Sequence, residues 1–85
     1  MRSAAVTVGT TAVVAVASDD IDRTVYLHHE SNQGIFLGGS DVTTANGLHM
    51  KKGQSYAIVL PQRATLYAIA DLAGQELRIL TPAID

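Results

Sequence analysis

The sequence predicts an all-β protein, a small β-sandwich or barrel of about seven to eight short, mostly antiparallel strands. Apolar and polar residues alternate in short runs, and glycine, proline and asparagine separate these runs. The runs themselves are rich in valine, isoleucine and threonine, which favour strands. With 85 residues the chain is long enough for one domain, so we expect a single β domain over residues 1–85.

Two strands are predicted near the N-terminus, Ala5–Val8 and Thr11–Ala17, with a turn at Gly9-Thr10 between them. The second strand is small and apolar on both faces, and such a strand needs cover on both sides. In a domain of this size, another chain can supply one of the covers. We therefore expect residues 1–17 to make assembly contacts. The candidate interface residues are Val6, Val8, Val13, Val14 and Val16.

The same segment has features of a secretory signal peptide, namely an early arginine, an apolar stretch and the sequence Ala15-Val16-Ala17. The interruption at Gly9-Thr10-Thr11 and the abundance of valine and threonine favour strands instead. No apolar run is long enough to cross a bilayer as a helix, so we predict no membrane partner.

Four further strands are expected in the middle of the chain, and alternation sets which side chains share a face. In the strand Arg23–His29, one face carries Val25, Leu27 and His29. Pro61 ends the last of the four, because proline cannot donate a hydrogen bond to a neighbouring strand. The other three predicted strands are Ile35–Leu37, Leu48–Lys51 and Gln54–Leu60.

The connector 38–48 holds the densest turn signals, and the Asn-Gly pair within it predicts a tight hairpin turn. Around Ser40 the sequence has a superficial likeness to the nucleophile elbow of hydrolases, but Val42 stands where that motif needs its last glycine. We therefore interpret the connector as a structural loop. Its key residues are Gly38, Gly39, Asn46 and Gly47.

The C-terminal part predicts two more strands, Leu66–Ala70 and Glu76–Leu80, joined by a turn at Ala73-Gly74. The alternative is one helix through residues 68–80. Gly74 would lie in its middle and the residues that follow alternate as in a strand, so the strands are favoured.

Neither histidines nor carboxylates form a recognisable chemical motif. His28 and His29 are adjacent in a predicted strand, so they point to opposite faces and do not converge on one ion. The acidic residues between positions 19 and 22 lack the glycine and glutamate spacing of a calcium loop. The chain has no cysteine. We expect a protein with no enzymatic activity, no metal and no cofactor.

Charge and composition bear on partners. The net charge is −2, with six basic and eight acidic residues and no basic run, which argues against nucleic-acid binding. The chain has only four aromatic residues, three tyrosines and one phenylalanine, and no disulfide, so we expect a lone monomer to be only marginally stable. Homo-oligomerisation would add stability, and we expect it.

The resemblance to a known family is carried by six segments taken in their order along the chain: Val8–Ala12, Arg23–Leu27, Ile35–Thr43, Asn46–Leu48, Lys52–Gly53 and Leu66–Ala70. This ordered set resembles small β-rich structural proteins encoded by tailed bacteriophages, especially phages of actinobacteria. It covers nearly the whole chain, and the third and last segments are its most specific parts. One departure is His28-His29-Glu30, where the family pattern has an asparagine-containing turn.

The resemblance implies a virion component. A capsid decoration or cement protein suits a near-neutral, cysteine-free β domain, because such a protein bridges neighbouring subunits and raises the cost of separating them. The implied partners are the major capsid protein and further copies of this chain, with a trimer favoured. The implied location is the capsid surface, after synthesis in the host cytoplasm. The alternatives are a tail, connector or fibre-attachment component and, in another class, a host-surface or carbohydrate-binding module.

Overall fold

The computed structural model describes residues 2–82 and arranges them in eight β-strands. They form two four-stranded antiparallel sheets that pack face to face. The all-β prediction is confirmed, and the architecture is the sandwich. The strands are β1 (Arg2–Val8), β2 (Val13–Val16), β3 (Arg23–His29), β4 (Ile35–Gly38), β5 (Leu48–Met50), β6 (Ser55–Leu60), β7 (Leu66–Ala70) and β8 (Gln75–Thr81).

Sheet 1 has the strand order β1-β8-β3-β6, and sheet 2 has the order β2-β7-β4-β5. All neighbouring pairs are antiparallel. Only β4 and β5 are both consecutive in the chain and paired, so every other connection between these strands crosses to the other sheet. The turn at Gly9-Thr10 therefore joins two sheets and does not form a hairpin. The edge strands are β1 and β6 in sheet 1, and β2 and β5 in sheet 2.

The core lies between the sheets and is built from alternate residues of each strand. Val25 and Leu27 are fully buried, as the alternation in β3 predicts, and Leu77 of β8 is 0% exposed. The strands β7 and β8 exclude the alternative helix, because Gly74 between them has a φ of 78°. The buried cluster comprises Val8, Ala15, Val16, Val25, Leu27, Ile35, Leu37, Met50, Leu60, Leu66, Ala68, Ala70, Leu77 and Ile79.

His29 closes one end of this core. It is 1% exposed and shares the inward face of β3 with Val25 and Leu27. Its Nδ1 accepts a hydrogen bond from the backbone N–H of Ser31 at 3.0 Å, and its Nε2–H donates to the carbonyl oxygen of Gln33. The imidazole thus satisfies two backbone groups of the β3–β4 turn while filling the end of the sandwich.

Arg23 closes the opposite end, at the start of β3. Its side chain is 7% exposed, and its Nη1 lies 3.3 Å from the carboxylate of Asp19. Its Nη2 donates to the carbonyl oxygen of Ala17. The β2–β3 loop is therefore tied to the sandwich by a charged side chain that has lost most of its contact with water.

We expect His29→Ala to lower the free energy of unfolding by about 2–4 kcal/mol, because it leaves a cavity and two backbone groups without partners. Chemical denaturation followed by circular dichroism measures the loss. The control is His28→Ala, since the His28 side chain is 43% exposed on the outer face. Its loss should be below about 1 kcal/mol. Equal losses for the two variants would contradict a special role for His29.

Candidate assembly surface

The five valines predicted as interface residues lie in different environments. Val8 and Val16 are 0% and 6% exposed and belong to the core. Val6 and Val13 are half-buried and pack against the core. Val14 is 46% exposed. These environments differ because successive side chains of a strand point to opposite faces and because the register shifts between Val14 and Val16. Of these five valines, Val14 therefore has the most surface available to a partner.

Val14 lies on the outer face of sheet 2, among other apolar side chains. Its cross-strand neighbour is Tyr67, and on the next strands Ile69 lies opposite Phe36. These residues alternate with the buried side chains of the same strands, so they point away from the core. We call the surface formed by Val14, Phe36, Tyr67 and Ile69 the apolar face.

The apolar face departs from the usual pattern of antiparallel sheets, in which the outer side chains are polar. β2, β4 and β7 contain no charged residue and, apart from the tyrosine hydroxyl, no polar side chain. His49 of β5 borders the face, and its ring stacks on that of Phe36 with centroids 4.6 Å apart and planes at 10°. A contiguous apolar surface of this kind is typical of a contact surface for another macromolecule.

The loop between β4 and β5 borders the apolar face and holds the four predicted structural residues. β4 and β5 do pair as a hairpin, from Ile35↔Met50 to Leu37↔Leu48. The predicted tight Asn-Gly turn is wrong, because neither Asn46 nor Gly47 has the positive φ that such a turn requires.

Asn46 instead organises a longer loop. Its side-chain oxygen accepts a hydrogen bond from the backbone N–H of Thr43 at 2.7 Å, and the backbone N–H of Gly47 donates to the carbonyl oxygen of Thr43 at 3.0 Å. At the other end of the loop, the N–H of Val42 donates to the carbonyl oxygen of Gly39 at 3.0 Å. Two successive turns therefore replace the single turn that the sequence predicts.

Glycine is required in this loop by close packing. A Cβ atom at Gly47 would lie 2.6 Å from the Cβ atom of Phe36 and 2.9 Å from the side chain of Val42. A Cβ atom at Gly38 would lie 2.9 Å from the same Val42 side chain. Val42 is 5% exposed, so the loop packs over an apolar side chain and against the back of Phe36.

We expect Gly47→Ala to lower the free energy of unfolding by about 1–3 kcal/mol, because the added methyl group overlaps with neighbouring atoms. The control is Gly9→Ala, where the nearest atom to an added Cβ lies 3.9 Å away. Its effect should be within about 0.5 kcal/mol of wild type. Thermal or chemical denaturation of both variants tests the difference, and a neutral Gly47→Ala would show that the loop relaxes freely.

The outer face of sheet 1 contains a groove of about 560 Å³. Tyr26, which is 50% exposed, and Leu80, which is 37% exposed, lie opposite each other on neighbouring strands within it. The small side chains of Ser3 and Ala57 flank them on the edge strands. We call this surface the groove. It offers one exposed aromatic ring beside polar groups.

Polar side chains form one end of the groove. His28 accepts a hydrogen bond from the Ser55 hydroxyl at 2.7 Å through Nδ1, and its Nε2 lies 3.1 Å from the carboxylate of Glu30. Arg78 donates to Glu76 at 2.8 Å, and this hydrogen bond and the negative charge raise the pKa of Arg78 above its ordinary value. The charged groups at this end are thus paired with each other.

The other ionisable residues singled out in the sequence lie apart. His28 and His29 point to opposite faces of β3, as predicted. Asp22 accepts a hydrogen bond from the backbone N–H of Gln62 at 2.7 Å and holds two loops together. Within residues 2–82, no group of three or more histidine, aspartate and glutamate side chains is placed to hold a metal ion. The same range contains no helix with the length and apolarity needed to cross a bilayer.

No known protein family, curated protein or solved structure matches the chain at a significant level.

Proposed function

We propose that the protein is a structural component of a phage virion, and that it decorates the capsid by docking on the major capsid protein. The apolar face carries this proposal, because it gives the sandwich a surface whose burial would be favourable. The ordered sequence segments that resemble phage structural proteins support it. Two of the most specific of these segments lie here. Ile35–Thr43 forms β4 and the start of the β4–β5 loop, and Leu66–Ala70 forms β7. They therefore build this face.

The mechanism is burial of surface across a junction between capsid subunits. Apolar area removed from water contributes roughly 25 cal/mol per Å², and Phe36, Tyr67 and Ile69 are only partly covered within the sandwich. A protein that contacts two subunits at once binds the assembled shell more tightly than it binds the separated subunits. It therefore stabilises the shell by mass action.

The number of copies per particle tests this proposal against its nearest alternative. Quantitative mass spectrometry of purified particles should give a copy number comparable to that of the major capsid protein. A handful of copies would favour a tail, connector or fibre-attachment component instead. Absence from purified particles would rule out both roles.

We expect Val14→Lys to weaken binding to capsids assembled without this protein by about tenfold or more, because a charge at the apolar face must be desolvated on docking. Co-sedimentation with such capsids measures the loss. The matched control is Ile21→Lys in the β2–β3 loop, where the replaced side chain is 54% exposed and lies outside the apolar face. Equal binding by the two variants would exclude the apolar face as the docking surface.

A second function, carbohydrate binding at a host surface, is favoured by the groove. Tyr26 is half-exposed there, and Ser55, His28 and Arg78 place hydrogen-bonding groups on one side of it. An aromatic ring beside such groups can stack on the apolar face of a sugar while the polar side chains bind its hydroxyls.

For this second function we expect binding to at least one glycan of an array, and loss of that binding by about tenfold or more in Tyr26→Ala. Val14→Lys serves as the control, since Val14 lies on the other sheet. A wild-type protein that binds no glycan on the array would leave the capsid proposal alone.

A further inference from the structure

Apart from Arg2 at the start of β1, which lies on the same inward side of the strand as Ala4 and Val8, both edges of sheet 1 lack the features that usually protect an edge strand, which are inward charges, interior prolines and bulges. After Arg2, β1 contains no charged residue and no proline, and it pairs one to one with β8 along its whole length. β6 contains no charged residue or proline and pairs with β3 without a register shift. Each strand therefore presents backbone N–H and C=O groups along its free side.

The directions of the two edges suit each other. β1 and β6 occupy opposite edges of a four-stranded antiparallel sheet, so they run in opposite directions. A second copy in the same orientation brings its β6 beside β1 as an antiparallel neighbour. The backbone pattern within the sheet then continues across the junction.

The side chains at the two edges are complementary in size. Beside β1 the sandwich is open, and a cavity of about 260 Å³ lies between the sheets. Its lining combines small and apolar side chains with charged ones, namely Ala4, Ala15 and Ile79 with Arg2, Asp19 and Arg23. Beside β6 the sandwich is closed, because the Tyr56 hydroxyl donates to the carbonyl oxygen of His49 at 2.8 Å. Ile58 projects inward next to it and is only half-buried. One edge thus offers space, and the other offers a large apolar side chain.

The edge strands also contain several apolar side chains that are only partly buried by the core. Val6 of β1 and Tyr56 and Ile58 of β6 pack against the buried cluster but remain partly exposed. On the outer side of the same edges, Ser3, Ala5 and Ala57 are small, and Val59 of β6 is an apolar side chain that is 72% exposed. Strand pairing at these edges would bury the exposed parts of the inward side chains and of Val59.

We infer that the protein self-associates head to tail, with β6 of one copy adding to β1 of the next copy as a fifth strand of its sheet. Pairing of like edges fits less well, because two β1 strands leave the cavity empty and two β6 strands bring Ile58 against itself. A head-to-tail contact can close into a ring, and a ring leaves no free edge in sheet 1. This inference goes beyond the proposed function and does not depend on docking to a capsid.

Two edge variants of the purified protein test the inference. Ala4→Lys places a charge on the inward side of β1, where Ala4 is exposed, and Ile58→Lys does the same on β6. At an edge, a lysine can reach water in the free subunit but blocks an incoming strand. If Ile58→Lys lowers the melting temperature substantially, Ile58→Thr keeps the β-branched shape and takes its place.

Sedimentation velocity over a wide range of concentrations is the measurement. Wild type should form an oligomer, and each variant alone should sediment as a monomer. An equimolar mixture of the two variants should form a dimer, because the intact β6 of one variant can pair with the intact β1 of the other. The dimer stops there, since both remaining edges are blocked.

Several results would overturn the inference. They are a wild type that stays monomeric, a mixture that stays monomeric, or one variant that self-associates while the other does not, which indicates pairing of like edges. The control is Val14→Lys, which should oligomerise as wild type does, because Val14 lies on the apolar face of the other sheet. A protein that oligomerises as expected but fails to bind capsids would contradict only the proposed function.

Discussion

The alternation of side chains along β3 is the constraint on which the rest of the sandwich depends. Its inward positions run from Arg23 through Val25 and Leu27 to His29, so two apolar residues are bounded by a polar side chain at each end. The length of the apolar core is therefore set by one strand. The loops at both ends are held by the hydrogen bonds of these polar residues, which give partners to most of their buried polar atoms; the Nε of Arg23 is buried without one.

A core bounded in this way is small, and many apolar side chains lie outside it on the surface of the sandwich. Sheet 2 carries apolar side chains on both of its faces, with phenylalanine and tyrosine on the outer one, although only the inner face is covered. Sheet 1 keeps a more conventional outer face, with paired charges at one end of the groove. The two sheets thus differ in what they can contact, and the edges of sheet 1 provide a third kind of surface. Separate surfaces allow one small domain to bind a partner and its own copies at the same time.

Local patterns made the strands predictable. Each of the eight strands overlaps one that alternation and turn residues predict, because both signals depend on residues close together in the sequence; the largest differences are at β1, which begins at Arg2 and not at Ala5, and at β2, which is shorter than predicted. The inward face of β3 is predicted for the same reason. The assignment of β1 and β2 to different sheets was not predictable, since it depends on pairing with β8 and β7 far along the chain.

The same distinction explains what the sequence did not reveal about the candidate surfaces. A run of valines does not show which of them face the core, and the register shift in β2 leaves Val14 outside and Val16 inside. The Asn-Gly pair predicted a tight turn, but packing against Phe36 and Val42 determines the glycine at position 47. The groove was missed as well, because Tyr26 and Leu80 meet only when β3 and β8 pair.

The position of β8 has a consequence for how the chain folds. Within residues 2–82, β8 is the last strand, yet it lies between β1 and β3 and is the only strand that pairs with β1. Until β8 has been synthesised, β1 has no neighbour in its sheet, and the core lacks Leu77 and Ile79. Pairing between strands so far apart in sequence is slow compared with the formation of local hairpins. β1 is synthesised before the other strands of the sandwich but is therefore among the last to be incorporated, and the sandwich closes only after β8 has been made.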